Sequence, residues 1–429
     1  MSDTLSSSSA ASRSGSARPG REHPLGAGQE SKFLNDLRKA DGKAPGKTVA
    51  EVGLSRMDPM NRTEAKAREI ADAFAAAVGA GARLYWMRDW TLMVLFDEAS
   101  AQAVQAALVR LRFVLGGDPL AEDRDLVVYR PFVRDYEALI AETEDRVVGG
   151  AAAGAPSGSG AEARGGGDGV PRFRTAARQP RGEPLTPGML GRIESMLVNA
   201  NLSSHIRRQS VCVMVSEGKP EPMFTEVFVS IADLRETLLP RVDLASNPWL
   251  FQRLTQTLDR RVLAMLTHRD DATLVKGFSI NLNVASILSD EFLAFDDNMA
   301  AGSHGTVVIE LRPEDIFADL GAFTFARDFV RQRGYRVCLD GLTWRSLPYV
   351  SARRLGAEMV KLNWSPDLPS VLEGPEGKPV REAMEALPPG KLVLARCDSE
   401  DAVAFGQDND ITLYQGRIID TWMRERAPF

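Results

Sequence analysis

Residues 306–342 read TVVIELRPEDIFADLGAFTFARDFVRQRGYRVCLDGL. An apolar run, Val307-Val308-Ile309, leads into Glu310. A helical pattern follows over Ala318–Arg333, and a second apolar run, Val337-Cys338-Leu339, leads into Asp340. Two short apolar runs joined by a helix-sized segment are the pattern of a βα unit in a parallel sheet. Each run delivers one acid at its C-terminal end. A polar residue on a buried strand costs stability unless it is paired or binds something.

The unit recurs through the C-terminal half. Phe224–Val229 carries Glu226, Phe278–Leu282 carries Asn281, Met359-Val360 leads to Lys361, and Leu413-Tyr414 leads to Gln415-Gly416. Polar residues in the order Glu, Asn, Glu, Asp, Lys, Gln predict one shared site, where parallel strands converge at one end of a barrel. β-rich runs fall at Ser210–Val215, Met223–Ile231, Gly277–Leu282, Thr306–Leu311, Arg336–Leu339, Glu358–Leu362, Leu392–Ala395 and Ile411–Tyr414. Helices are expected over Pro187–Ala200, Pro248–Leu266 and Val380–Ala386 as well. The first two β runs are joined by Glu217-Gly218-Lys219-Pro220 and read as a hairpin, so the first strand pair is antiparallel. The expected fold class is α/β: a modified (β/α)₈ TIM-like barrel with a small N-terminal α+β domain.

Composition sets the boundaries. Residues 1–49 are rich in Ser, Ala, Gly, Arg and Lys and read as a disordered tail, with a short helix around Lys32–Lys39. Residues 50–147 form the small domain, 148–183 a Gly/Ala/Ser-rich flexible linker, and 184–425 the barrel. In the small domain a helix over Arg62–Val78 is followed by strands at Arg83–Trp86 and Thr91–Phe96, a helix at Ser100–Leu115 and a strand at Leu126–Tyr129. That order predicts an antiparallel α+β sandwich. Leu115-Gly116-Gly117-Asp118 reads as a helix C-cap and turn, and Arg353-Arg354 as solvated surface.

The chain has 429 residues, 44% of them hydrophobic, and a net charge of −6. The acidic balance argues against nucleic acid as a partner. No apolar stretch approaches the roughly 20 residues that span a bilayer, and the Ser-rich start has no apolar signal region, so a cytoplasmic protein without a membrane segment is expected. Cys212, Cys338 and Cys397 are widely spaced within or beside apolar runs and read as buried free thiols. The four His are not at metal-ligand spacing.

With these residues in place, the barrel segment resembles the EAL domain, the family of cyclic-di-GMP phosphodiesterases. Glu226-Val227-Phe228 corresponds to the Glu-Ala-Leu signature, Ile280-Asn281-Leu282 to the Ile-Asn-Leu strand and Ile309-Glu310 to the Ile-Glu strand. Asp340-Gly341-Leu342-Thr343 stands for Asp-Asp-Phe-Gly, Val360-Lys361-Leu362-Asn363 for Val-Lys-Ile-Asp, and Gln415-Gly416 for the terminal Gln-Gly. The small domain resembles a degenerate GGDEF domain, with Met87-Arg88-Asp89-Trp90-Thr91 in the place of the signature; a ferredoxin-like domain is the alternative. The resemblance implies bacterial cyclic-di-GMP signalling. It implies Mg²⁺ or Mn²⁺ held by Glu226, Asn281, Glu310 and Asp340, with Lys361 and Asp398 catalytic and Gln209 and Gln415 on the ligand. Hard divalent ions held by carboxylate and amide oxygens activate water and neutralise phosphoryl charge.

The departures point the other way. The second Asp of the pair is Gly341, the phosphate-gripping Arg after the signature is Ser230, and the first Glu of a later strand end is Arg396. The sequence therefore predicts a degenerate EAL domain that acts as a catalytically weak or inactive regulatory module for a protein partner, with no cofactor. The alternatives are an active metal-dependent phosphodiesterase and a cyclic-di-GMP receptor that does not cleave. A homodimer is compatible with the shortened segment after Asp340.

Overall fold

The computed structural model describes residues 28–40, 46–148, 182–199, 202–215, 219–238, 241–244, 246–267, 277–299 and 306–425. Most of the tail, the Gly-rich linker and part of the first hairpin turn lie outside the described residues.

The small domain is a four-stranded antiparallel sheet of β1 (Thr48–Val52), β2 (Arg83–Trp86), β3 (Leu92–Phe96) and β4 (Val127–Pro131), in the order β2-β3-β1-β4. Strand side chains alternate between faces. On β3, Leu92, Val94 and Phe96 meet one core, while Met93 and Leu95 meet another. Both faces are therefore covered. Helices α2 (Glu64–Ala73), α3 (Ala75–Gly79) and α4 (Glu98–Val114) pack on the first face; α1 (Glu30–Lys39) and α5 (Phe132–Val148) pack on the second. Helix α4 starts on a reciprocal cap: Asp97 accepts from the Ser100 backbone N–H, and the Ser100 hydroxyl faces the Asp97 N–H.

Three details differ from expectation. The short helix expected around Lys32–Lys39 is present as α1, but its Phe33 and Leu37 are fully buried in the small domain, and the region assigned to the tail also holds the start of β1. The helix expected over Arg62–Val78 breaks at Phe74, which has a non-helical backbone and a fully buried ring. And β1 was missed, because five residues between polar segments are too short to stand out.

The large domain is a closed barrel of eight strands in chain order: β5 (Ile206–Val213), β6 (Glu221–Val229), β7 (Phe278–Asn281), β8 (Val307–Leu311), β9 (Arg336–Leu342), β10 (Met359–Asn363), β11 (Leu392–Ala395) and β12 (Leu413–Tyr414). Strand β5 runs antiparallel to both neighbours; every other pair is parallel. The parallel strands are joined through helices, including Pro248–Thr267 and Leu320–Gln332. The barrel is thus the expected closed eight-stranded α/β architecture, without strict β/α alternation at its first strand pair. No described helix is long and apolar enough to cross a membrane. All three cysteines are buried and free.

Helix α4 of the small domain closes the N-terminal end of the barrel. Ala106, Val109 and Phe113 pack on Val211, Phe224, Val308, Cys338, Met359 and other residues at the bases of the strands. The Phe113 ring stacks on Phe224 with centroids 5.3 Å apart and planes 12° apart. The Arg336 guanidinium lies 3.9 Å from the centre of the Phe113 ring.

Candidate functional site

The other end of the barrel holds the polar residues. Parallel register places Glu310 of β8 beside Asn281 of β7, and Glu226 lies on the next strand, β6. Lys361 reaches into their midst from β10 and is only 1% exposed. Its Nζ lies 2.7 Å from Glu226 Oε2 and 2.6 Å from Glu310 Oε1. Asn281 Nδ2 donates to Glu226 Oε1 at 2.5 Å, and Gln415 Nε2 donates to Glu226 Oε2 at 2.6 Å. Five of the six residues singled out by their strand positions thus form one bonded cluster, and Asp340 couples to it by charge.

The two glutamates are not equivalent. Burial pushes the Glu226 carboxyl up, but the Lys361 charge and the hydrogen bonds from Lys361, Gln415 and Asn281 outweigh it and hold the group below its ordinary value. Glu310 accepts no aligned hydrogen bond at either oxygen. Its contact with Lys361 is an ion pair, and among the described residues Oε2 has no hydrogen-bond partner. Burial, together with the negative charge of Glu226, pushes Glu310 up to about 8. Burial also raises Asp340. Burial works against the Lys361 ammonium, but the surrounding acids outweigh it and raise its pKa. The Lys361 ammonium therefore stays charged between the two glutamates.

The end of β9 explains what lies beyond Asp340. The register shifts between Leu339 and Leu342, and Gly341 takes φ +80°, a conformation that favours glycine. A Cβ at Gly341 would lie 3.7–3.8 Å from the Arg312 guanidinium. Arg312 thus stands next to the place of the missing second carboxylate. Its own partner is the exposed Glu314, 3.4 Å away. Sequence reading passed over Arg312. The signal was its spacing: two residues beyond Glu310, it falls on the same face of the strand end.

Other expected residues lie apart. Gln209 sits opposite Glu226 in the register, but its amide donates to Asp420 Oδ2 at 2.8 Å. Asp398 pairs with Arg417 Nη2 at 2.8 Å and accepts from the Arg417 backbone N–H at 3.0 Å. Neither bonds to the cluster. Arg396 is exposed, with φ +60°, and its charge acts on Asp398 rather than on the glutamates. Ser230 accepts from the Asp233 N–H, a cap for the helix Ile231–Leu238.

The donor chemistry fits one hard cation: buried carboxylates, an amide oxygen and a Glu310 oxygen without a hydrogen-bond partner. As the side chains stand, the Lys361 ammonium takes the space between Glu226 and Glu310. Among the described residues, no three His, Cys, Asp or Glu side chains close on a common metal position. A second ion has no donors at Gly341.

No protein-family model matches the chain, and no curated protein matches it. Similar solved structures are EAL-domain proteins. The Vibrio cholerae LapD S helix–GGDEF–EAL chain bound to c-di-GMP shares 11% identity over 92% of this chain and 94% of that one, with a TM-score of 0.39. The Xanthomonas citri FimX EAL domain in complex with c-di-GMP shares 12% identity over 53% of this chain and 92% of that one, with a TM-score of 0.38. The Bacillus subtilis YkuI protein, in complex with c-di-GMP and calcium, shares 15% identity over 54% of this chain and 61% of that one, with a TM-score of 0.36. The chain is similar to these EAL proteins at a remote level, and the chemistry of its site rests on its own residues.

Proposed function

We propose that the protein acts in cyclic-di-GMP signalling through a degenerate EAL-type barrel that regulates a protein partner and hydrolyses the dinucleotide weakly or not at all. The observation that carries this reading is the Lys361 ammonium seated between Glu226 and Glu310. A tethered cation neutralises the carboxylates that would otherwise recruit a metal. The absence of a carboxylate at Gly341, with the Arg312 guanidinium beside it, supports the same reading. The order of the motif residues supports descent from the phosphodiesterase family.

An ion, if bound, would be held by Glu226, Asn281, Glu310 and Asp340. Its contribution would be to polarise a phosphoryl oxygen and lower the pKa of a water. Lys361 would then have to give up one glutamate, because ammonium and metal compete for the same oxygens. Gln415 and Asn281 would hold the Glu226 carboxylate in orientation in either state.

Calorimetry of cyclic-di-GMP against the full chain, with and without Mn²⁺, separates the readings. Binding without linearisation identifies a receptor. Neither heat nor thermal shift leaves regulation through a protein partner alone. Linearisation in Mn²⁺ that is lost in Glu226→Ala defeats the proposal and identifies an active phosphodiesterase.

A further inference from the structure

The opposite end of the barrel carries an unexplained cluster of positive charge. A cleft of about 820 Å³ runs between the segment after α4 and the bases of β10 and β11. That volume falls within the range of small-molecule sites. Arg124 lines it from the small domain, while Arg331, Arg353, Arg354 and Lys391 line it from the barrel. Only two acids, Glu122 and Glu358, share the lining, and Glu358 is engaged by Arg331 at 3.0 Å. A net positive cleft in a chain of net charge −6 is a local feature and does not follow from composition.

Lys391 is the sharpest element. It is only 6% exposed, and no hydrogen bond or ion pair within 4.0 Å reaches its Nζ among the described residues. An ammonium on a side chain so nearly enclosed, offset only by the charges of Glu358 and Glu122, is poorly compensated. Burial, with the charge of Arg336 second, pushes its pKa down to about 8. Beside it, Arg336 is 5% exposed and leaves Nε and Nη1 without hydrogen-bond partners in an adjoining recess walled by Gly116 and Gly117. Tyr349, 64% exposed, stands in the wall of the main cleft next to Pro348 and offers a ring face. Two largely enclosed cationic side chains, four exposed arginines and an aromatic side chain are the elements of a nucleotide site.

We propose that the cleft between the small domain and the N-terminal end of the barrel binds a phosphate-bearing aromatic ligand, a nucleotide, with its phosphates on Lys391, Arg353 and Arg354 and its ring against Tyr349. The site is separate from the acid cluster: β10 and β11 begin at the cleft, and Lys361 lies further along β10 with its side chain among the acids. Because the lining comes from both domains, the ligand would fasten the small domain to the barrel.

The test is calorimetry on the full chain at low salt, with ATP, inorganic tripolyphosphate and adenosine as probes. ATP should bind with a dissociation constant on the order of 10 µM. Lys391→Met should weaken ATP binding about tenfold, and the surface pair Arg353→Gln/Arg354→Gln about fivefold. The second variant keeps the test open if the first folds poorly. Tripolyphosphate should bind more weakly than ATP, and adenosine not at all. No heat from ATP at millimolar concentration overturns the proposal. So does unchanged affinity in the double variant, and so does ATP binding that is lost in Glu226→Ala, which would place the ligand at the other end of the barrel. Tripolyphosphate binding as tight as ATP overturns the role of Tyr349.

Discussion

At the C-terminal end of the barrel three carboxylates, the buried Glu310 and the half-buried Glu226 and Asp340, surround one ammonium. At the N-terminal end the buried cations Arg336 and Lys391 share one nearby acid, Glu358. The two ends manage their excess charge differently. The acid end closes on itself: the Lys361 ammonium pairs with both Glu226 and Glu310. The basic end leaves its ammonium facing a cleft. Burial of charge is costly in both places, but only the acid end answers it with an ion pair at hydrogen-bond distance. The proposed function rests on the paired charges of the acid end, and the proposed ligand site on the excess positive charge of the basic end.

The comparison is broken most readily at Lys361. Removing it leaves Glu226 and Glu310 facing each other without a cation, and Lys361→Met should cost about 3–5 kcal/mol in urea unfolding at pH 7. An unchanged midpoint would mean that the acid end is not held by its ammonium. Next comes the floor of the barrel. Phe113→Ala removes the ring sandwiched between Phe224 and Arg336 and should cost about 2 kcal/mol, read as a lower melting temperature of the full chain. No shift would mean that α4 does not hold the two domains together.

At the basic end the sign reverses. Lys391 titrates near 8 in the folded chain and at its ordinary 10.5 when unfolded, so the unfolded chain binds the extra proton between those values. Stability therefore rises with pH through that window, and the penalty is fully present below pH 8. Lys391→Met should stabilise the protein by about 1–2 kcal/mol at pH 7, with the gain fading towards pH 10.5. Destabilisation at pH 7 would show that the ammonium has found a partner. The smallest effect is expected at Gly341→Asp, which should cost about 1 kcal/mol for a side chain at positive φ, partly offset by the Arg312 charge. A gain in metal affinity without that cost would contradict the assignment of Arg312 to this position.

These residues also show how far the sequence could be read. The barrel was legible because buried parallel strands are continuous apolar runs and each ended in one polar residue. Glu226, Asn281, Glu310, Lys361 and Gln415 follow from that pattern alone and meet in one cluster. What the pattern could not carry was direction. Gln209 turns to Asp420 and Asp398 to Arg417, although both lie near the same rim. Which neighbour a rim side chain takes depends on charges from helices far along the chain. The helix α1 was legible but its docking was not, because its few apolar residues matter only once α5 is in place. The docking of α4 was not legible either. Its Ala106, Val109 and Phe113 read as the second stripe of a helix whose first stripe already had a core.

The reading of the acid end stands or falls on turnover. The full chain at micromolar concentration, incubated with cyclic-di-GMP and Mn²⁺ and followed by chromatography of the linear dinucleotide, should give no product above that of the Glu226→Ala variant. Linear dinucleotide from the native chain, absent in Glu226→Ala, would show that Lys361 yields its place to a metal and that the barrel is a working phosphodiesterase.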